Sequence, residues 1–233
     1  MTKQTVLAAE DPRQILVRKA ARALARAGLV NAYGHCSLRI DDDSFLVCRP
    51  GPMGQIEEGE SGTIVPINGP LPEGVLGEVR VHQQIYRRRP DVNAICRVLP
   101  PKLMALSAMG LVPQVRHGFG AFFFPEPPLW DDPSLLRDDD RAARVSEKLG
   151  SASAVVMRGN GAVTVAEDLM RAVTLAFYLE DAAAVELAVL AAGRERSSPT
   201  LTEDQALRRA TWAGFAAERM WDYLTYEDPE STD

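Results

Sequence analysis

The chain has 233 residues, of which 46% are hydrophobic and 25% are charged, with a formal net charge of −6. This is the composition of a globular protein, and no apolar run is long enough to predict a membrane span. The acidic balance and the scattered arginines argue against nucleic-acid binding. The first fourteen residues lack the apolar core of a signal peptide, so we expect a cytoplasmic protein.

The three cysteines form no recognisable framework. Cys36, Cys48 and Cys96 are an odd number and show no CxxC spacing. Reduced thiols are therefore expected rather than disulfides or a structural zinc site.

The first half of the chain predicts one helix and a meander of strands. A helix should begin at Asp11-Pro12, an N-cap followed by an N1 proline, and should end at Gly28. A glycine turn then leads into the strand "GHCSLRI", and "DDDS" predicts a tight turn before the partner strand "FLVCRP". Residues 51–77 are rich in Gly, Pro and Glu and hold one short strand, "TIVPI". An irregular stretch of this length often carries function.

The second half predicts alternating helices and strands. A helix over 77–89 should stop at Pro90, and "NAICRV" should form a buried strand before a short helix that follows a diproline. The loop 117–130 is aromatic and Pro-rich, with a possible strand inside it. Another helix should run from Asp132-Pro133 to Gly150. The run "SAVVMRGNGAVTVA" predicts a hairpin, because Asn-Gly is a strong turn signal.

Two helices are expected to close the chain. One is rich in alanine and ends at Gly193. The other is a single aromatic helix over 202–226 that begins with the capping box of Thr202 and Gln205. We see no repeat and no interdomain linker, so one α/β domain over 1–233 is predicted, with its core in 11–193 and a mixed sheet covered by helices.

Arg97 is the most unusual candidate for a site residue. It lies near the end of a buried strand, where an unpaired guanidinium is too costly to keep. A partner must therefore exist, either a carboxylate of the protein or a ligand.

Other candidates have ordinary structural explanations as well. Glu78 and His82 are four residues apart on a predicted helix, which fits an acid/base pair, although spacing alone favours a first-turn glutamate stabilised by the helix dipole. In "GHCSLR", the turn at Gly34 and His35 with Ser37 and Arg39 can bind an anion or can be an ordinary tight turn. Arg49, on the next strand, is expected to face the same point as Arg39.

The three histidines, His35, His82 and His117, do not form a local metal motif. A metal site assembled from distant segments of the chain stays an alternative.

The order of several motifs resembles the class II aldolase/adducin family. These are "ARAGLVNAYGHCSLRI", "GEVRVHQQIYRRRPDVNAICRVLPP" and "VVMRGNGAVTV", and the likeness covers roughly residues 13–193. "GHCSLR" and "KLGSASAVVMRGNGAVTV" are most similar to the branch that decarboxylates hydroxylated aromatic or pyridine carboxylates. The resemblance implies a three-layer α/β/α domain with a mainly antiparallel sheet, assembled as a homotetramer with active sites between subunits.

The same resemblance implies a cation that this sequence does not fit. The family's HxH ligand pair falls on Arg97 and Leu99, and its hairpin histidine falls on Asn160, and none of these is a good metal ligand. The family's acid/base glutamate matches Glu78, and His117 lies roughly where the decarboxylase branch carries a histidine. We therefore expect no metal and no cofactor, with Arg97 supplying the positive charge instead.

Three functional hypotheses follow. The first is a metal-independent carbon–carbon lyase acting on a small anionic, aromatic or enolisable acid, or an isomerase, dehydratase or cyclase using the same pocket. Here Arg97, Arg39 and Arg49 bind the anion, Glu78 moves the proton, and Asn160 is a donor. The second is a non-catalytic binding subunit that kept the fold. The third is metal binding through Glu78 with His82 or His117.

Overall fold

The computed structural model describes residues 7–231 and contains one seven-stranded sheet. Its strands are β1 (His35–Arg39), β2 (Ser44–Val47), β3 (Thr63–Pro66), β4 (Ala94–Val98), β5 (Leu129–Trp130), β6 (Ala154–Met157) and β7 (Ala162–Ala166). The helices are α1 (Pro12–Arg26), α2 (Arg80–Arg88), α3 (Pro101–Ala108), α4 (Asp139–Leu149), α5 (Leu169–Ala191), α6 (Glu203–Arg209) and α7 (Ala216–Thr225). Within this part of the chain, no helix combines the length and apolarity needed to cross a membrane.

The sheet is mixed and mainly antiparallel. Its strand order is β3-β2-β1-β4-β7-β6-β5, and only the short edge strand β5 pairs in parallel, with β6, among the described strands. In the register of the central strands, His35 lies opposite Arg97, and Arg97 lies opposite Val163. Strand β4 therefore brings Arg97 into the middle of the sheet, between β1 and β7.

Helices cover both faces of the sheet, which confirms the predicted three-layer α/β/α fold. Apolar residues of α1, α3, α5 and α7 form one core with one side of the strands. Helices α2 and α4 form a second core with the opposite side, around residues such as Ile85, Val145 and Ile95. Successive strand residues point to opposite faces, so Arg97 lies on the same face as Ile95, toward α2.

The start of α1 and the hairpin at Asn160 form as their local sequences dictate. The Asp11 side chain accepts a hydrogen bond from the backbone N–H of Arg13, which caps α1. In the β6–β7 turn, the backbone N–H of Met157 donates to the Gly161 carbonyl at 2.8 Å. Gly161 has a φ of +71°, a conformation that favours glycine.

Three predicted helices differ in detail from the structure. Glu78 lies in a short 3-10 turn, Gly77–Val79, that precedes α2. Helix α4 begins after Asp138 rather than at Asp132, because Asp138 accepts the capping hydrogen bond from the Arg141 backbone. Asp132 instead accepts from the backbone N–H of Ser134.

The aromatic helix predicted over 202–226 is two helices, α6 and α7. The capping box of Thr202 and Gln205 is present at the start of α6. Helix α6 ends at Arg209, and just before α7 begins, Gly214 and Phe215 both have positive φ, at +71° and +57°. Left-handed backbone cannot continue a right-handed helix.

The segment that follows α7 is bound to α1 by ion pairs, and we call it the C-terminal clamp (Asp228 and Glu230 with Arg18 and Arg22). Arg22 lies 2.7 Å from Asp228 and 2.8 Å from Glu230. Arg18, which is only 3% exposed, donates from Nε to Glu230 at 2.9 Å. These contacts join positions more than 200 residues apart, at opposite ends of the chain.

Candidate active site

A cavity of about 540 Å³ lies where β1 and β4 meet the β6–β7 turn. Its polar walls come from His35, Glu78, Arg97, Arg137 and Asn160. Its apolar walls come from Ala32, Tyr33, Leu76, Leu99, Leu135 and Leu136. The cavity therefore combines a few charged groups with a mainly apolar lining, which is typical of sites for small organic molecules.

Arg97 is the buried cation of this cavity. Its Nη1 donates to the carbonyl of Val98 at 2.7 Å and its Nη2 to Oδ1 of Asn160 at 2.8 Å. Its Nε is buried and has no hydrogen-bond partner. Among the described residues, no carboxylate pairs with Arg97 within 4 Å. Burial lowers its pKa to about 10, and the charge of Glu78 partly offsets this effect.

Two glycines allow the backbone to approach Arg97 closely. A Cβ on Gly161 would lie 2.0 Å from the carbonyl oxygen of Val98 and 3.0 Å from Nη1 of Arg97. A Cβ on Gly34, where φ is +130°, would lie 3.0 Å from the carbonyl oxygen of Arg97. The turn at Gly34 thus serves close packing, and larger residues do not fit at either position.

Glu78 reaches the cavity from the 3-10 turn before α2. Its Oε1 accepts a hydrogen bond from Nε of Arg137 at 2.8 Å. The Glu78 side chain is 23% exposed and that of Arg137 is 65% exposed. A carboxylate at the mouth of the cavity, held by a solvent-exposed arginine, is well placed to exchange protons with water.

His35 and His82 belong to a buried hydrogen-bonded chain. His35 Nδ1 lies 2.9 Å from His82 Nε2, and His82 Nδ1 lies 2.6 Å from Ser37 Oγ. Ser37 Oγ lies 2.9 Å from the hydroxyl of Tyr86. Burial, followed by the charge of Arg97, lowers the pKa of His35 to about 3. Burial also lowers the pKa of His82, with smaller contributions from His35 and Arg97. Both rings are therefore neutral near pH 7.

The structure brings five of the predicted site residues to the cavity wall. These are Gly34, His35, Glu78, Arg97 and Asn160. His82 and Ser37 lie behind His35 and do not line the cavity. Glu78 and His82 do not pair, in line with the preference that spacing alone gave, because Glu78 binds Arg137 while His82 binds His35 and Ser37.

The structure places the other three candidates elsewhere. Arg39 donates to the carbonyls of Val92, Tyr86 and Arg89, four residues or about 13 Å along the strand from His35. Arg49 pairs with Glu60 at 2.9 Å on a separate surface groove. His117 lies 3.6 Å from Asp181, beside α5. Residues 202–226 also lie outside the cavity wall.

Sequence reasoning missed Arg137 and Tyr86. Arg137 lies just before α4, where the sequence predicted the second turn of a helix, so no local signal marked it. Tyr86 follows His82 by four residues on α2, and this spacing places both side chains on one face. The spacing of His82 and Tyr86 could therefore have predicted that both belong to the buried hydrogen-bonded chain.

The residues at the family's ligand positions do not fit a divalent cation. Arg97 carries a positive charge there, and Leu99 and Asn160 replace two imidazoles. Within residues 7–231, no group of three or more His, Cys, Asp or Glu side chains is arranged to hold a metal ion.

The fold and these motifs define a family. Residues 16–187 match the model of the Class II Aldolase and Adducin N-terminal domain, and the chain belongs to this family. This match confirms the resemblance inferred from the sequence.

Among individual relatives, the named enzymes include decarboxylases. The chain is 32% identical over 193 residues to 3,4-dihydroxyphthalate decarboxylase of Arthrobacter keyseri, covering 75% of this chain and 77% of the relative. The enzyme of the same name from Rhodococcus jostii is 27% identical over 203 residues, covering 77% of this chain and 81% of the relative. The L-fuculose-1-phosphate aldolase of Thermus thermophilus superposes with a TM-score of 0.68 at 28% identity, covering 80% and 97% of the two chains. The decarboxylase-named relatives and the family match support a lyase of the carboxy-lyase type.

Proposed function

We propose that the protein is a metal-independent decarboxylase of a small hydroxylated aromatic acid, in which Arg97 binds the carboxylate. One observation carries this proposal: Arg97 is 7% exposed, yet its protein partners are the neutral oxygens of Val98 and Asn160. A buried cation that lacks a carboxylate partner is costly, and an anionic ligand offsets that cost. The decarboxylase names of the relatives supply the reaction class.

The lining of the cavity supports an aromatic substrate. Leu76, Leu99 and Leu135 offer apolar surface to a ring, and Tyr33 lies at the mouth with 70% of its surface exposed. With the carboxylate on Arg97, a ring would be held against these side chains. A sugar phosphate would place hydroxyl groups against the same apolar surface, which is unfavourable.

The reaction requires one bond to break and one proton to be delivered. The bond between the ring and the carboxylate carbon breaks, CO2 leaves, and the electron pair stays on the ring carbon. That carbon then takes a proton, so hydrogen replaces the carboxylate. We assign the proton transfer to Glu78 because it lines the cavity and reaches solvent beside Arg137. As CO2 leaves, the negative charge moves from the carboxylate to the ring, and Arg97 stabilises it there as a fixed cation beside the ring.

The test is direct. Purified protein, treated with a chelator and then freed of it, is incubated with 3,4-dihydroxyphthalate and with single-hydroxy benzoates, and CO2 and the ring product are measured. Release of CO2 that is unchanged by added Zn²⁺ or Mn²⁺, and that is lost in Arg97→Met and Glu78→Gln, is expected. Activity that requires an added metal, or that survives Arg97→Met, would overturn the proposal.

We also propose a homotetramer, as the family resemblance implies. Apolar side chains of the C-terminal segment support an assembly, since Leu207 on α6 is 68% exposed and Phe215, just before α7, is 72% exposed. Light scattering of the purified protein tests this proposal, and a monomer would contradict it.

A further inference from the structure

We infer that His35 presents Nε2 to the cavity as a hydrogen-bond acceptor, and that the buried chain of His82, Ser37 and Tyr86 fixes this tautomer. The consequence is a specificity element: the site selects substrates with a ring hydroxyl that can donate to Nε2. The part of this inference that concerns substrates rests on the proposed function, whereas the tautomer of His35 does not.

Each link of the chain needs one donor and one acceptor. The links are His35 Nδ1 to His82 Nε2 at 2.9 Å, His82 Nδ1 to Ser37 Oγ at 2.6 Å, and Ser37 Oγ to Tyr86 OH at 2.9 Å. A neutral imidazole has one N–H and one bare nitrogen, and each hydroxyl has one hydrogen. A hydroxyl that donates to one neighbour must therefore accept from the other, so a direction set at the Tyr86 end passes along every link.

The far end of the chain supplies that direction. The Tyr86 hydroxyl contacts the backbone carbonyl oxygen of Asn93 at 3.4 Å, and a carbonyl oxygen can only accept. Tyr86 therefore donates to Asn93, and its oxygen accepts from the Ser37 hydroxyl.

The same pairing of donors with acceptors then places the ring hydrogens of the two histidines. Because Ser37 donates to Tyr86, Ser37 Oγ accepts from Nδ1–H of His82, and the bare Nε2 of His82 accepts from Nδ1–H of His35. The remaining nitrogen of His35 is Nε2, which carries no hydrogen. Since His35 lines the cavity and its Nδ1 is already bonded, Nε2 is the nitrogen that a ligand can reach.

The electrostatics of the site favour the same arrangement. Arg97 lies directly opposite His35 in the strand register, and its charge lowers the pKa of His35 after the larger effect of burial. A nearby cation favours a nitrogen lone pair over an N–H group on the cavity side. The rings also stay neutral, because burial is the main cause that lowers the pKa of both histidines.

Together, the unprotonated Nε2 of His35 and the guanidinium of Arg97 recognise two neighbouring groups on a ring. The substrate carboxylate is attracted to Arg97 and repelled by the lone pair of His35, whereas a hydroxyl donates to that lone pair. A hydroxy acid satisfies both groups, and the analogue without the hydroxyl leaves a desolvated acceptor. We expect a preference of about 10- to 100-fold for the hydroxy acid.

The tautomer can be measured on the unliganded protein. The chain contains three histidines, so long-range ¹H–¹⁵N spectra are simple, and His35→Gln assigns the His35 signals. We expect Nδ1 of His35 in the protonated, pyrrole-type range and Nε2 in the bare, pyridine-type range. A protonated Nε2 in the wild-type protein would overturn the inference, whether or not the protein releases CO2.

Tyr86→Phe gives a sharper test, because it removes one oxygen on the far side of the chain. Ser37 then loses its acceptor, and we expect its hydrogen to turn to Nδ1 of His82, the remaining partner, which reverses every link and places a hydrogen on Nε2 of His35. The control is Tyr178→Phe, a buried tyrosine outside this chain. A reversed tautomer in Tyr86→Phe but not in Tyr178→Phe supports the relay, whereas an unchanged His35 in folded Tyr86→Phe contradicts it.

Binding of salicylate and benzoate then tests the substrate part by calorimetry. The wild-type protein should prefer salicylate, and Tyr86→Phe should lose most of that preference while still binding benzoate. Equal affinities in the wild-type protein would overturn the specificity role. Absence of CO2 release with the tautomer as inferred would instead count against the proposed function alone.

Discussion

Arg97 donates a 2.8 Å hydrogen bond from Nη2 to Oδ1 of Asn160, so two residues at the family's ligand positions are bonded to each other. The family resemblance implies metal ligands at both of these positions. In this protein Arg97 is itself the cation, and Asn160 is a neutral hydrogen-bond acceptor for it. The positive charge stays in the cavity without a counter-charge in direct contact.

Replacing Asn160 by aspartate should supply that counter-charge from within the protein. Asn160→Asp places a carboxylate about 2.8 Å from the guanidinium, in the same shape as the native amide. We expect the melting temperature to rise and the shift caused by added salicylate to shrink, because the internal carboxylate competes with the ligand. Differential scanning fluorimetry with and without ligand measures both effects, and Asn160→Ser is the neutral control. A larger ligand shift in the aspartate variant would contradict this prediction.

Arg97→Met and Arg39→Met should differ in their effects on stability. Arg97 is a buried cation without a carboxylate partner, so an apolar replacement removes the cost of burying that charge but also takes a donor from Val98 and Asn160, and we expect a net change within about 1 kcal/mol.

Arg39, the matched control, donates to three backbone carbonyls, and its loss takes a donor from each, although the Arg89 carbonyl still accepts from the backbone N–H of Val92 at 3.1 Å. We expect Arg39→Met to lower the free energy of unfolding by about 1–3 kcal/mol. Urea denaturation of both variants tests the contrast. A marked loss of stability in Arg97→Met would show that the guanidinium is structural.

Two glycines in one turn offer a test of the close packing at Arg97. Gly159 and Gly161 both have positive φ, at +61° and +71°, so alanine is strained at either position. A Cβ on Gly161 also meets the carbonyl oxygen of Val98 at 2.0 Å, whereas a Cβ on Gly159 has no neighbour within 4 Å. We expect a cost of about 1–2 kcal/mol in Gly159→Ala and a clearly larger one in Gly161→Ala. Thermal unfolding compares them, and equal costs would contradict the close approach of the Gly161 and Val98 backbones.

The C-terminal clamp should make stability depend on acidic pH. Burial raises the pKa of Asp228 and of Glu230, but hydrogen bonds from Arg22, and from Arg18 to Glu230, outweigh burial and leave both pKa values lowered. A carboxyl group whose pKa is lowered by folding stabilises the protein above its unfolded pKa, and this stabilisation is lost as the pH falls.

The combined Asp228→Asn and Glu230→Gln variant should therefore be less stable at pH 7, by about 3–5 kcal/mol. The difference from the wild-type protein should shrink as the pH falls below about 4. Melting temperatures from pH 7 to pH 3 measure this, with Asp204→Asn as the control, since the Asp204–Arg208 pair is exposed. A constant difference across this range would argue against ionic stabilisation.

Local chemistry allowed much of the fold to be predicted. The cap at Asp11, the Asn-Gly hairpin and the capping box at Thr202 are all present, because a few adjacent residues determine each of them. The break at Phe215 was not predictable, since a left-handed aromatic residue depends on tertiary packing. The start of α4 was misplaced because two Asp residues, at 132 and 138, offer similar capping signals.

The candidate site was predictable where two strands share a register, and less so elsewhere. Arg97 and Asn160 meet because β4 pairs with β7 and the turn before β7 follows directly. The prediction that Arg39 belongs to this site was wrong, because the strand places Arg39 about 13 Å from His35. Arg137 depends on the loop before α4, whose path the sequence does not specify.

The glycines on both sides of Arg97 have a consequence for how this pocket can diversify. Positions 34 and 161 tolerate no side chain, so new chemical groups cannot arise next to the guanidinium from there. Tyr33, Leu76 and Leu135 are exposed at the mouth and can change with little effect on folding. During evolution or engineering, the range of accepted molecules would therefore change through residues at the entrance, while Arg97, the proposed anion-binding residue, stays unchanged at the bottom of the cavity.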